Sequence, residues 1–344
     1  GVIAGLGSVL VFLPQITILF AFILLLEDSG YLPRAAFLLD NLMAKSGLSG
    51  RSFIPLLSSF ACAVPAVMSA RTINDPRERL VTIAVAPLLT CSARLPVYAL
   101  IIAAVIPNRT VGGIFNLQGL TLFILYLAGI LSAALAAYIM KRLARMKGNV
   151  QQFPLLMELP TFRTPNFKHI MTSLWDRVKA FLKRAGTIIF ALAVVLWGLV
   201  SWPQPPAGAT GAAIDYSLAG MLGHAIQPLF APLGFTWEMC IAMIPGIAAR
   251  EVVVAALGTV YAVSASSEDA VQNALIPIIH NNWGLPTAFA FLAWYVYAPM
   301  CAATLAVIKR ETKSTKNMVM ITGYLFLMAY FAAFVVYQIT SRIM

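Results

Sequence analysis

FIPLLSSFACAVPAVMSAR (Phe53–Arg71) and IAMIPGIAAREVVVAALG (Ile241–Gly258) are apolar enough to lie at membrane depth, yet both are interrupted by Pro, Gly or charge. Each is followed by a second apolar segment in which Cys and Pro stand close together, APLLTCSARLPVY (Ala86–Tyr98) and YVYAPMCAATLAVIKRE (Tyr295–Glu311). In lipid every backbone N–H and C=O needs a partner, so unbroken helix is the default and irregular backbone survives only where it is buried in protein or lines a cavity. Paired interruptions in the two halves of one chain point to a binding site near the bilayer midplane, the pattern of a transporter.

The surrounding sequence supplies the membrane. Hydrophobic residues make up 60% of the 344 positions and charged residues 11%, and the mean hydropathy is +0.84. That balance excludes an ordinary water-soluble domain and predicts an all-α polytopic membrane protein. Stretches long enough to cross the roughly 30 Å hydrocarbon layer fall at about 2–26, 80–106, 119–140, 185–203, 286–308 and 317–338. The broken segments lie at 52–70 and 236–263. The chain opens on GVIAGLGSVLVFLPQ, without the charged start and cleavage site of a secretory signal, and reads as cut from something longer. Four cysteines, three of them in apolar segments, do not form a disulfide framework.

The net charge of +11 is distributed as a membrane topology rather than as a nucleic-acid surface. Basic residues gather in the segment 27–51, in the loop RTINDPRER (Arg71–Arg79), and in 141–184; between Arg184 and Lys309 the only one is Arg250. The first three regions are therefore expected in the cytoplasm, and the polar stretches 203–216 and 264–285 outside it. Re-entrant hairpins at 52–70 and 236–263 satisfy both assignments. The same order then occurs twice: span, amphipathic segment (35–46 or 216–231), re-entrant hairpin, span broken near Cys91 or Pro299, and final span. The expected domains are a first gate repeat at 1–140, a basic cytoplasmic linker with surface helices at 141–184, and a second, inverted repeat at 185–344.

Cys62 and Cys91 sit beside Pro65 and Pro96 at these breaks, and Cys301 is placed alike in the second half. A buried Cys is commonly a small hydrophobe, but sulfur beside loosened carbonyls also suits a soft or borderline divalent metal. Met68 and Met300 are either further soft ligands or gap fillers. Glu27 and Asp28 end the first span, where a carboxylate opposes the helix dipole; they form an interfacial pair with Arg34 or a cation coupling site. Arg250 and Glu251 are adjacent charges inside a re-entrant segment, a functional or a salt-bridging pair, and Arg94 raises the same choice, with Glu27 or Glu251 as partner. The three histidines lie in surface stretches without metal-ligand spacing. GLSGRS (Gly47–Ser52) lacks the spacing and Lys of a phosphate loop and reads as a turn, so the chain itself is not expected to be a nucleotide-hydrolysing enzyme.

Five long motifs, FLPQITILFAFILLLEDSGYLPRAAFLLDNLM, GLSGRSFIPLLSSFACAVPAVMSARTI, CSARLPVYALIIAAVIP, GFTWEMCIAMIPGIAAREVVVAALGTVY and CAATLAVIKRET, resemble the membrane region of the bacterial ferrous iron transport protein B (FeoB) family. The resemblance implies Fe(II) as transported substrate, two gate units of a type also found in nucleoside transporters, and multi-pass residence in the bacterial inner membrane. It maps Cys62 and Cys91 onto the first gate's cysteines, Cys301 onto that of the second, and Glu27, Asp28 and Glu251 onto the family's acidic positions. The family's cytoplasmic GTP-binding domain, with its Mg(II), is not in this sequence. It is expected as a partner in the same longer protein or as a separate chain, with membrane lipid, small accessory proteins and a homo-oligomer as the other partners implied. Pro299-Met300-Cys301 departs from many relatives by placing one residue between Pro and Cys, and Cys240 has no counterpart. Two other readings fit the broken segments: a gate transporter of nucleosides or another small solute, and a non-transporting membrane scaffold docking a partner on 141–184.

Overall fold

The computed structural model describes residues 20–45, 48–111, 115–146, 164–183, 216–248, 250, 252–261 and 268–343, with isolated positions at 14, 17–18, 187, 191, 194–195, 198–199 and 202–203. The chain is an all-α polytopic membrane protein. Apart from a two-residue antiparallel pair, Thr110–Val111 with Phe115–Asn116, regular structure among the described residues is helical.

After the helical residues 20–28 come α1 (Tyr31–Lys45), α2 (Phe53–Ala61), α3 (Ala63–Ser69), α4 (Pro76–Val85), α5 (Leu95–Val105), α6 (Leu117–Met146) and α7 (Phe167–Phe181). The remainder forms α8 (Leu218–Phe230), α9 (Trp237–Ala248), α10 (Val252–Val260), α11 (Glu268–Asn282), α12 (Leu285–Tyr297), α13 (Ala302–Thr312) and α14 (Thr315–Ile343). Local chemistry sets the boundaries. Asp75 caps α4, accepting from the Arg77 N–H at 2.9 Å with Pro76 in the first turn, because that turn's amides have no partner within the helix. Asn166 and Ser217 cap α7 and α8 in the same way.

Among the described residues three helices are long and apolar enough to cross a membrane: Pro76–Val105, Leu117–Leu143 and Thr315–Ile343. They occupy different positions in the molecule. The 30-residue span made by α4 and α5 is 67% buried, whereas α6 and α14 are 17% and 22% buried and present Phe123, Leu131, Leu327 and Phe331 outward. In a bilayer such outward apolar side chains meet lipid, while the small residues Ala133, Ala136, Ala137, Ala329 and Ala333 turn inward and let helices approach closely. Most of the spans expected at 2–26 and 185–203 lies outside the described residues. The span expected at 286–308 is the pair α12 and α13.

Two hydrophobic cores interlock. One holds α8 to α12 with the inner face of α14 and takes in Val97 to Val105 of α5; the other holds α3, α4 and α6 and takes in Ala303, Val307 and Ile308 of α13. In each half the chain after the break near Cys91 or Cys301 thus crosses into the opposite core. α7 packs Ile170, Leu174 and Val178 against Phe20 and Leu24 of the first span. The stretch 264–285, read from sequence only as a polar loop, includes α11. Its Leu275 and Ile279 are buried, and its His280 Nδ1 lies 2.8 Å from the Ala104 carbonyl oxygen. The helix was missed because only one narrow stripe of it is apolar.

Candidate functional site

Four helix breaks meet between the two cores, and proline accounts for three of them. Pro65 lacks an N–H and its ring crowds the carbonyl four residues back, that of Ala61. Helix α2 stops there, Cys62 is extended (φ −156°, ψ 133°), and the freed Ala61 carbonyl accepts from Ser92 Oγ at 3.0 Å. The first broken segment is thereby tied to the second. In that second segment a 3-10 turn, Ala86–Leu88, ends α4; Leu89 to Cys91 are non-helical, and a turn at Ser92–Arg94 opens α5 with Pro96 in its first turn. The segment Ala298 to Cys301 separates α12 from α13 at Pro299, with Cys301 again extended (φ −163°, ψ 98°). Arg250 stands in the break between α9 and α10.

The cysteines from three of these breaks converge. Cys62, Cys91 and Cys301 all lie within electrostatic reach of one another and of Arg250. Arg250 is 4% exposed and donates from Nη1 to the Cys91 sulfur at 3.3 Å and from Nε to the Met300 carbonyl at 3.0 Å. Its own carbonyl accepts from the Tyr295 hydroxyl at 2.6 Å. The three sulfurs form no closed ligand set: among the described residues no group of three His, Cys, Asp or Glu side chains is placed to hold a metal ion. All four cysteines are free thiols.

Two arginines carry positive charge into this region. Arg94 is fully buried and donates from Nη1 to the Leu89 carbonyl at 3.2 Å and from Nη2 to the Pro87 carbonyl at 3.1 Å. Its described acceptors are backbone carbonyls rather than Glu27, and Glu251 lies outside the described residues: the guanidinium caps the C-terminal end of the α4 half-helix, where carbonyls without helical partners hold partial negative charge. A planar fork with several donors reaches two carbonyls at once.

The other expected site residues are spread more widely. Met300 contributes its backbone carbonyl to Arg250, and its terminal methyl lies over Gly246; Met68 packs at the edge of the core formed by α3, α4 and α6. Asp28 accepts from the Asn166 N–H at 2.7 Å and lies 3.7 Å from His169 Nδ1, joining the first span to α7. Glu27 beside it is exposed, and Glu251 lies outside the described residues. The GLSGRS turn is a 3-10 turn into α2 whose Ser49 and Gly50 amides are taken by the carboxylates of Glu78 and Asp40. Cys240 is buried in the core of the second half.

Sequence reasoning passed over two hydroxyls. Thr304 is 3% exposed and its hydroxyl lies beside the Cys301 sulfur; Thr90, next to Cys91 in the chain, is 1% exposed with its hydroxyl beside that of Tyr98. The signal available was a Thr close to each of these two cysteines in otherwise apolar segments. A Thr hydroxyl readily back-bonds within a helix, so the pattern alone did not single them out.

A family model described as Gate, nucleoside recognition, matches residues 9–105 and 182–315, and one described as ferrous iron transport protein B C terminus matches 122–177. Curated relatives include the Fe(2+) transporter FeoB of Leptospira interrogans (strain Fiocruz L1-130), 42% identical over 98% of this chain and 50% of the relative. Those of Leptospira biflexa and of Staphylococcus aureus (strain COL) are each 40% identical over 98% of this chain, covering 50% and 48% of the relative. The chain thus spans about half the length of the curated relatives it matches. No solved structure matches it.

Proposed function

We propose that this chain, which belongs to the Gate family as the membrane region of an FeoB-type protein, passes Fe(II) across a bacterial inner membrane into the cytoplasm. The ion exchanges part of its water for sulfur and oxygen ligands where the four breaks meet. Fe(II) is a borderline cation that accepts thiol sulfur together with hydroxyl and carbonyl oxygen, whereas Mg(II) and Ca(II) prefer oxygen alone. What supports this reading is the match to Fe(2+) transporter relatives, together with cysteines at three of the four breaks and the hydrogen bonds of Ser92 and Arg250 that tie those breaks to one another. The chain contributes binding and gating, and GTP hydrolysis belongs to a domain elsewhere in the longer protein or on a separate chain.

The same reading takes 1–140 and 185–344 as two inverted gate units joined by the basic segment 141–184. The crossing of α5 and α13 into opposite cores supports it, since equivalent half-helices then do equivalent work. Asp28, tied to α7, sits at the cytoplasmic end of the first span, suited to coupling rather than to the midplane.

The test is uptake by proteoliposomes of Fe(II), Zn(II), Mn(II) and uridine, with the wild-type chain and a C62S/C91S double variant. Fe(II) uptake that falls at least tenfold in the double variant, at equal reconstitution, supports the assignment. Uridine uptake without Fe(II) uptake would instead bear out the literal description of the Gate family.

A further inference from the structure

Arg250 brings a permanent positive charge to the place where the proposed site takes a cation. Its guanidinium, deprotonated only far above physiological pH, bonds Cys91 of the first half and the Met300 carbonyl of the second. Among the described residues no carboxylate forms an ion pair with it. Its backbone is pinned by the Tyr295 hydroxyl at 2.6 Å, so main-chain position and side-chain reach are both fixed from the second half. Gly246 keeps the approach close: a Cβ there would stand 2.4 Å from Val253 Cγ2 and 2.9 Å from the Met300 methyl. A divalent cation bound to the Cys91 sulfur would face this guanidinium at contact distance, and two positive charges at such range in a buried site repel strongly.

We infer that Arg250 is a tethered cationic latch. It occupies the cation's place at Cys91 while the two halves are closed on each other, and the arriving ion displaces it. Displacement breaks the bonds to Cys91 and to Met300 together, so it frees the break that carries Cys91 from the break that carries Cys301. Only a cation that bonds sulfur well competes with the guanidinium, so the latch also filters against hard cations such as Mg(II). This inference rests on the reading of the cysteine cluster as a cation site, and it adds the group that keeps that site shut.

The test is labelling of Cys91 by methyl methanethiosulfonate, a small neutral reagent, in full-length chain whose Cys62, Cys240 and Cys301 are Ala. R250M fills similar volume without charge or hydrogen bonds. Rates are compared at their high-pH plateau, where the cation's help in removing the thiol proton no longer counts; there R250M is expected to speed labelling about tenfold, as loss of hydrogen bonds from a charged donor implies, with R250K intermediate. The buried Cys240, kept as sole cysteine in a parallel set, reports unfolding and should stay slow. If R250M makes Cys240 reactive, Y295F decides instead: it leaves the charge in place, removes the anchor, and should speed Cys91 labelling about threefold. Unchanged Cys91 labelling in a folded R250M, or in Y295F where R250M unfolds, overturns the latch. Absence of Fe(II) uptake by wild type overturns the transport reading instead, and the labelling rates do not depend on it.

Discussion

Arg71 grips Glu311 through Nε and Nη2, one donor to each carboxylate oxygen, across 240 positions of sequence. The pair joins the end of the first broken segment to the end of α13, and the two partners are unequal: the Arg71 side chain is 52% exposed and that of Glu311 only 7%. The contact to Glu311 raises the Arg71 guanidinium's affinity for its proton.

Removing the arginine is therefore expected to cost more than removing the acid. R71M leaves a nearly buried carboxylate without donors, at about 1–3 kcal/mol, while E311Q keeps a hydrogen-bonding group in place and costs less. Thermal unfolding in detergent of both variants and the double variant measures the coupling. A coupling near zero would class the pair with ordinary exposed ion pairs.

Arg94 sets a larger effect. Its replacement by Met leaves the Leu89 and Pro87 carbonyls buried without donors, at about 2–5 kcal/mol for the two together. Lys, with one ammonium in place of a fork, recovers part of this. The melting temperature of the purified chain is the readout, and a melt unchanged in R94M would mean that water reaches these carbonyls.

Gly234 makes the turn of 107° between α8 and α9. Its φ of +73° is costly for any residue with a Cβ, and a Cβ there would come within 2.1 Å of the Tyr337 ring. G234A should destabilise by about 2–4 kcal/mol, from left-handed strain and overpacking together. Y337A in the same chain should return only the packing part. Complete rescue by Y337A would show that the backbone angle costs nothing.

Thr304 separates stability from transport. Its buried hydroxyl lies beside the Cys301 sulfur, a weak hydrogen-bonding partner, so T304V should cost no more than about 1 kcal/mol. If the hydroxyl is an oxygen ligand beside Cys301, Fe(II) uptake falls several-fold in T304V and is kept in T304S. Equal uptake in T304V and wild type removes Thr304 from the site.

Hydrophobic run length located the spans at 119–140 and 317–338 because a helix facing lipid needs nothing beyond itself: its hydrogen bonds are internal and its side chains are apolar. Prolines 65, 96 and 299 located the breaks for a similarly local reason, the missing N–H and the ring. α11 was passed over because its stripe of Val271, Leu275 and Ile279 is narrow, interrupted by Pro277 and set among polar residues. The partner of Arg94 was illegible because its acceptors are backbone carbonyls, which every residue carries and no sequence marks.

Membrane residence, the positions of the breaks and the presence of Cys at three of them could all be read from the residues alone. Each follows from chemistry within a few residues of the position concerned. The exchange of cores by α5 and α13, the capture by Ser92 of the carbonyl that Pro65 frees, and the reach of Arg250 to Cys91 across 159 residues emerge only in three dimensions. Those depend on which half-helices pack together, and in lipid that choice is made by shape and by unsatisfied polar groups rather than by hydrophobicity, which is nearly uniform along the chain.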